Sequence, residues 1–445
     1  MTIGVVRRAA GRWDDPRSST GPSLKSRPSS LGPSRLSLAS LFEAAHGTAG
    51  EQVQAVLQAV RRHLAMDVGF VSEFISGRRV FRFTDGRTSS NPITIGASDP
   101  LEKSFCYYIA RGMMPELMHD AREDPVAAGL TVTQELPVGA HLSVPLRHAD
   151  GTTYGSVCCF SFTPDRSLTT RDLGLLRLCA DLVGAILHRD RRAVIDRETR
   201  RERVRAVIEA GAIEMAYQPI YSVADGRLKA FEALARFPSE PRRAPDAWFA
   251  EAAEVGLGED LEFLAIERAL SGFASLDPAL KLTVNLSPAQ IASPRFAAAF
   301  EGAPLERTVI ELTEHAGVAS YDVLREALTP LRARGLRLAI DDVGAGHSTF
   351  RHVLDLSPEF IKLDMSLIRG IDRDTARRAL AESITSYGRR IGCEVVAEGV
   401  ETPAEFAALR DIGVTRAQGF LLGRPMPIEE AARLPETATF PDETT

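Results

Sequence analysis

Beyond residue 212 the chain repeats one pattern. A short apolar run is closed by a polar or charged residue, and a longer segment of helical character usually follows. The runs are EMAYQPIYSV, LKAFEALARF, KLTVNLS, RTVIELTE, LRLAIDDVG, PEFIKLD, EVVAEGV and RAQGFLLG. Runs of this length, rich in Val, Ile and Leu, read as buried strands. With helical segments between most of them, they predict an α/β fold closed as a TIM-like (β/α)8 barrel over 212–435. No internal repeat of the solenoid kind is present.

The first half is patterned differently. An amphipathic helix is read across SLFEAAHGT and VQAVLQAVRRHLA, followed by short strands such as VGFVSEF and RRVFRF. SVPLRHADGTTYGSVCCFSF places two strand-like runs around an Ala-Asp-Gly turn, a hairpin signal. These features predict an α+β domain over 38–188. From Thr169 the pattern turns helical, with Leu173, Leu176, Cys179, Val183 and Leu187 spaced by three and four, then Val194, Val204 and Ile208 within HRDRRAVIDRETRRERVR. A long helix with a linker at 189–211 is expected. It reads either as a solvated helix or as the seam of a two-stranded dimer, although Arg201 falls at a seam position. Residues 1–37, rich in Ser, Pro, Gly and Arg, read as a disordered tail, and 436–445 as a flexible C-terminus.

Composition narrows the function classes. At 445 residues and 44% hydrophobic content, the chain exceeds what one core usually supports, in keeping with two domains. A net charge of −6 argues against a general polyanion-binding surface, so no nucleic acid partner is expected, while a local basic pocket for a small phosphate ligand is allowed. The five cysteines, at 106, 158, 159, 179 and 393, show no CxxC spacing. They suit a reducing compartment and read as small buried residues. No run of about 18 apolar residues appears, and no signal peptide opens the chain, so no membrane span and a cytoplasmic location are expected.

The chemistry lies where the strands of the second half end. Glu232 follows LKAF, Asn285 follows LTV, Glu311 follows TVI, Asp341 and Asp342 follow LAI, Lys362 follows FI, and Glu398 follows VVA. In such a barrel these ends form one face, so the side chains converge. Five carboxylates and a carboxamide around one mouth call for hard divalent cations such as Mg²⁺ or Mn²⁺. Cys and His are absent from these positions, which disfavours zinc. The adjacent aspartates fit a two-ion arrangement, one bridging both ions and the other binding the second, of the kind that supports in-line displacement at a phosphodiester.

The second half resembles the EAL-domain cyclic di-GMP phosphodiesterases of bacteria. The motifs are YQPI (217–220), FEALAR (231–236), NLS (285–287), ELTE (311–314), DDVGAG (341–346), IKLD (361–364), AEGVE (397–401) and QGFLLGRP (418–425). The resemblance implies hydrolysis of cyclic di-GMP to linear pGpG on a TIM-like barrel with two Mg²⁺ or Mn²⁺ ions. It implies that Glu232, Asn285, Glu311 and Asp341 hold one ion, and that Asp341, Asp342 and Glu398 surround the second. Lys362 and Glu398 are then the catalytic residues, Lys362 orienting or polarising the attacking water. Gln218 and Arg236 are implied substrate contacts, and Glu401 and Gln418 are implied to hold the ligands in place. Glu314 matches a position that steadies the loop beginning at Asp342. The alternative is a catalytically silent cyclic di-GMP receptor signalling through a partner; silent members typically lose a ligand or the lysine, and this chain keeps them.

The same loop departs from the family form DDFGTGYSS: Val343, Ala345 and His347 replace Phe, Thr and Tyr, and Thr349 stands at the second Ser. Both aspartates and both glycines remain. The first half resembles GAF sensory domains through DPLEKSFCYYIARG (99–112), PELMHDAREDP (115–125) and VPLRHADGTTYGSVCCFS (144–161). This implies regulation of the barrel, with an unspecified GAF ligand and a homodimer through the linker helix and the barrel domain. Cys106 occupies a common family position but is not followed by the His of bilin attachment.

Overall fold

A computed structural model describes residues 47–86, 91–148, 151–313, 318, 320–344 and 349–440. The tail at 1–37, Ala149 and Asp150 of the hairpin turn, Glu314, Ala345 and His347 lie outside the described residues. Two compact units divide the chain between Ala193 and Val194.

The first unit is built on one antiparallel sheet. Its strands are β1 (Val68–Ile75), β2 (Arg78–Gly86), β3 (Ser98–Pro100), β4 (Leu117–Met118), β5 (His141–Arg147) and β6 (Thr153–Phe160), in the order β3-β2-β1-β6-β5-β4. Ser76 and Gly77 join β1 to β2, both with positive φ (48° and 74°), as a two-residue hairpin turn requires. Side chains alternate between the faces. Val71 joins the core formed with Val53, Val56, Leu57 and Val60 of the helix Ala49–His63, while Phe70 joins the opposite core with Phe81, Phe105 and Cys106. That helix starts at Thr48, whose hydroxyl accepts from Glu51 N while the Glu51 carboxylate accepts from Thr48 N. The helix Thr170–Ala210 contributes Leu176, Cys179, Val183 and Ile186 to the first of these cores. No helix among the described residues is long and apolar enough to cross a membrane.

The second unit is a closed barrel of β7 (Glu214–Ser222), β8 (Leu228–Arg236), β9 (Lys281–Leu286), β10 (Thr308–Leu312), β11 (Arg337–Val343), β12 (Phe360–Leu363), β13 (Glu394–Ala397) and β14 (Arg416–Ala417). All the strands read from the sequence are present. The regular (β/α)8 expectation needs one correction, because β7 runs antiparallel to both of its neighbours, β8 and β14. Only Val223–Arg227 separate β7 from β8, with Gly226 at φ 66°. A crossover to a parallel neighbour needs a dozen or more residues, so this link can make only a hairpin.

The described part of the segment read as a flexible C-terminus packs against the barrel. Glu436 O accepts from Leu228 N, Ala438 N donates to Gly226 O, and the Phe440 ring packs against Tyr221 and Phe406. Inside the barrel, Ile220, Ala230, Val309, Ala339, Phe360 and Val396, one from each of six strands, pack into an apolar layer. Most of the buried apolar surface lies outside it, between strands and helices. At about 1.5–3 kcal/mol per buried large apolar side chain, that shell closes the barrel and leaves the mouth free for chemistry.

Candidate active site

Period-two alternation builds the site directly on the apolar layer. Two residues beyond Ala230, Val309, Ala339, Phe360 and Val396 stand Glu232, Glu311, Asp341, Lys362 and Glu398. Two residues before Ile220, on the reversed strand β7, stands Gln218, in register with Glu232. The antiparallel strand therefore delivers its polar side chain from mid-strand rather than from its end.

Lys362 is the centre of the cluster and is 2% exposed. Its Nζ lies 2.7 Å from Glu311 Oε2, 3.2 Å from Asp341 Oδ1 and 3.7 Å from Glu232 Oε2, and it also pairs with Glu398. Each such contact is worth about 4 kcal/mol at an effective dielectric near 20, and together they offset burial of the ammonium. Burial alone would lower its pKa; Asp341, Glu232, Glu311 and Glu398 instead hold it well above the usual lysine range. The carboxylates fare differently. Burial, then the charge of Glu232, pushes Glu311 well up. Burial likewise raises Glu398, against the pull of Lys362. Burial also works on Glu232, but Lys362, Gln418 and Asn285 outweigh it and hold this carboxyl low.

Neighbouring groups fix the ligand atoms. Asn285 Nδ2 donates to Glu232 Oε1 at 3.1 Å, and Gln418 Nε2 donates to Glu232 Oε2 and, at 3.2 Å, to Gln218 Oε1. Gln218 Nε2 donates to Gly423 O at 3.1 Å. Gln418 sits where β14 stops, and Gly419 follows with its backbone against Val400; a Cβ there would lie 2.2 Å from Val400 N and O. The two aspartates occupy an irregularity in β11, where the register to β12 shifts between Ile340 and Val343. Asp342 has φ 54°, a left-handed conformation that Asp adopts more readily than most residues. Its N–H donates to Asp341 Oδ1 at 3.1 Å. This twist lets both adjacent side chains serve the mouth, whereas a regular strand would point them to opposite faces.

The residues suit divalent cations. Asp341, Asp342 and Glu398 each offer an oxygen within 4.8 Å of the others. Glu311 Oε1 is buried with no hydrogen-bond partner among the described residues. With every group ionised, the five carboxylates facing one ammonium leave four uncompensated negative charges, which two divalent ions would neutralise. The donors are hard oxygens, as Mg²⁺ and Mn²⁺ prefer.

Other expected site residues fall as follows. Arg236 shares the strand face of Glu232, half-buried, its Nη1 donating to Ala235 O at 2.8 Å. Glu401 does not reach the cluster. It turns away after Gly399 (φ 65°) and pairs with Arg369 at 3.0 Å, while its N–H donates to Glu405. Glu314 lies outside the described residues. Sequence reasoning missed Glu262, whose carboxylate accepts from Ser287 N, Ser287 Oγ and Gln290 Nε2 at 2.8–2.9 Å and so pins the loop after Asn285. Burial pushes its pKa up. Nothing in the pattern of the helix Gly258–Phe273 distinguishes it from an ordinary surface glutamate.

Comparison with known proteins gives consistent matches. Residues 201–425, just over half of the chain, match the EAL domain family, and residues 49–187 match the GAF domain. An uncharacterised protein of Azorhizobium caulinodans is 35% identical over 242 residues, covering 51% of this chain and 33% of that protein. The cyclic di-GMP phosphodiesterase NbdA of Pseudomonas aeruginosa is 31% identical over 239 residues, 51% of this chain and 30% of NbdA. The chain thus spans about a third of the length of these two relatives and of two others it matches. A solved EAL enzyme, Bd1971, in its cAMP- and cyclic-di-GMP-bound form, is similar in fold at a TM-score of 0.51 and 16% identity, over 83% of this chain and 93% of that one.

Proposed function

The chain belongs to the EAL domain family, and from that premise we propose that its barrel hydrolyses cyclic di-GMP to linear pGpG with two divalent cations, Mg²⁺ or Mn²⁺, under regulation by the GAF domain. The observation that carries this reading is the gathering of five carboxyl groups at one mouth around the single ammonium of Lys362, with Glu311 Oε1 buried and without a hydrogen-bond partner among the described residues. The name of the relative NbdA supports the substrate.

In this reading Glu232, Asn285, Glu311 and Asp341 hold one ion, and Asp341, Asp342 and Glu398 hold the other. When bound, the ions would supply an activated water and charge stabilisation at the leaving oxygen. The chain's own residues do the remaining work. Lys362 keeps its proton at Nζ and orients the water, with Glu398 beside it, for attack on phosphorus. The water oxygen bonds to the phosphorus of one phosphodiester, its P–O3′ bond breaks, the departing 3′ oxygen takes up a proton, and the ring opens to leave a 5′-phosphate. Arg236 extends a guanidinium toward a phosphate oxygen. Gln418, donating to both Glu232 and Gln218, keeps Glu232 in its ligating orientation, and Gln218 is a further substrate contact. The reading includes a homodimer through the linker helix and the barrel; Val194 and Ile195 of the linker, 63% and 53% exposed, support it.

Incubation of the full chain with cyclic di-GMP and Mg²⁺ or Mn²⁺, with chromatographic resolution of products, tests the proposal. Cation-dependent appearance of pGpG, stopped by a chelator, is expected. Tight binding without cleavage under either cation would overturn the enzyme in favour of the silent receptor.

A further inference from the structure

A second polar constellation is buried in the GAF domain, apart from anything the barrel chemistry uses. Cys106, on the helix Phe105–Ala110, and Cys158, on β6, place their sulfurs 3.4 Å apart, and both side chains are buried. Arg79 Nη1 donates to Cys106 Sγ at 3.3 Å. The guanidinium is itself 6% exposed, pairs through Nε and Nη2 with Asp99, and lies over the Phe81 ring at 4.6 Å. On the other side, Cys158 Sγ lies 2.9 Å from Ser143 Oγ and 3.3 Å from Ser156 Oγ. Two sulfurs thus sit in contact between a buried cation and a pair of hydroxyls.

The other cysteines of this domain show what an ordinary buried thiol looks like. Cys159 and Cys179 lie in the apolar core on the opposite face of the sheet, where burial pushes their thiols up to about 12 and about 11. Such thiols are inert toward electrophiles. Cys106 differs: the hydrogen bond from Cys158, working against burial and joined by the Arg79 charge, holds it down at about 5. Cys158 is pushed well up, first by burial. The pair is therefore asymmetric, with ionisation favoured at Cys106 over Cys158.

We propose that Cys106 and Cys158 form a peroxide-reactive thiol pair that closes to an intramolecular disulfide. The Cys106 thiolate attacks one peroxide oxygen, the O–O bond breaks, and the departing hydroxide takes a proton from solvent as water, making Cys106 a sulfenic acid. Cys158 sulfur then attacks Cys106 sulfur. The S–O bond breaks, the S–S bond forms, and the departing hydroxide takes the Cys158 proton as water. Two thiols lose two electrons in all, and one hydrogen peroxide becomes two waters. The sulfurs start 3.4 Å apart and close to a bond of about 2 Å. The product ties the helix Phe105–Ala110 to β6 and leaves Arg79 to Asp99.

The test uses the full-length reduced protein, hydrogen peroxide as the probe, alkylation of remaining thiols, and mass spectrometry of the digested chain. The expected product is a Cys106–Cys158 linked peptide, reversed by reductant, forming about ten times faster than any oxidation of Cys159 or Cys179. Cys106→Ser should abolish the link, Cys159→Ser should keep it, and Cys158→Ser should leave Cys106 as a sulfenic acid trapped by a dione reagent. These variants are near-isosteric, and circular dichroism of each checks folding. Persistence of both thiols through a dose that oxidises an added free thiol would overturn the proposal, as would oxidation of Cys106 no faster than that of Cys159.

Discussion

Lys362 in the barrel and Arg79 in the GAF domain are both buried cations, 2% and 6% exposed, but their surroundings balance differently. Arg79 faces one full carboxylate, Asp99, across two hydrogen bonds, and the thiols beyond it are satisfied by serine hydroxyls. Lys362 contacts four carboxylates at once, with a fifth, Asp342, adjacent to one of them. With Cys106 ionised, the GAF cluster keeps one net negative charge around Arg79. The barrel mouth, fully ionised, keeps four, and buried like charges persist only where something outside the chain compensates them. That residual imbalance separates a ligand-demanding site from a polar core.

The change with the largest expected effect removes a barrel carboxylate. Glu232→Ala takes away an oxygen donor held by three neighbours, Asn285, Gln418 and Lys362, and cleavage of cyclic di-GMP should fall to the uncatalysed level. The melting transition of the GAF domain should not move. Cleavage at the wild-type rate in this variant would dissolve the proposed cation site.

Removing each cation in turn sharpens the contrast. Lys362→Ala should lower turnover by about 10²–10³-fold, the cost of losing one aimed charge, while Mn²⁺ binding by titration calorimetry stays within about tenfold because the ammonium competes with the ions for these oxygens. Arg79→Met should leave catalysis alone and destabilise the GAF domain by about 2–3 kcal/mol, since Asp99 loses a charged hydrogen-bonding partner but is exposed enough to find water. If Lys362→Ala abolished Mn²⁺ binding, the lysine would be part of the cation cage rather than of the reaction. A smaller effect is expected from Gln418→Leu, which frees one Glu232 oxygen without removing a ligand. Cation affinity should fall about 10–100-fold with the substrate KM little changed, and an unaltered affinity would reduce Gln418 to a packing role.

The two constellations were unequally legible in the sequence. The barrel cluster follows a strand-period rule: Ala230 and Glu232, Val309 and Glu311, Ala339 and Asp341, Phe360 and Lys362, and Val396 and Glu398 are each two residues apart, so apolar runs ending in charge disclose both the strands and the mouth. The reversed β7 was visible in the short link Val223–Arg227, but the alternation of strand and helix elsewhere overrode it. The resemblance through AEGVE implies a supporting role for Glu401, and in the structure the turn at Gly399 is followed by its pairing with Arg369. The GAF cluster has no such rule. Arg79, Cys106, His141, Ser143 and Cys158 belong to three strands and a helix, and the register that sets Ser143 opposite Cys158 helps bring them together. Pairings defined by non-local register leave no spacing to read.

The smallest predicted effect concerns the remaining polar side chain of that region. His141 is buried on β5 with Nδ1 unpartnered among the described residues and its ring 5.0 Å from that of Phe105. Burial, aided by the Arg79 charge, pushes it down to about 3. An unfolded histidine titrates near 6.5, so as pH falls the unfolded chain takes up this proton first. Its contribution to stability is therefore complete above about pH 6.5 and is lost progressively between there and about pH 3, amounting to about 2 kcal/mol at pH 5. His141→Phe, which keeps a ring and removes the titration, should flatten this part of the pH dependence of GAF-domain melting. At pH 7 the variant should melt close to the wild type, and at pH 5 above it. Parallel curves for the two proteins between pH 7 and pH 5 would mean that His141 takes up its proton in the folded state, and that the cluster around Arg79 is more open to water than its burial indicates.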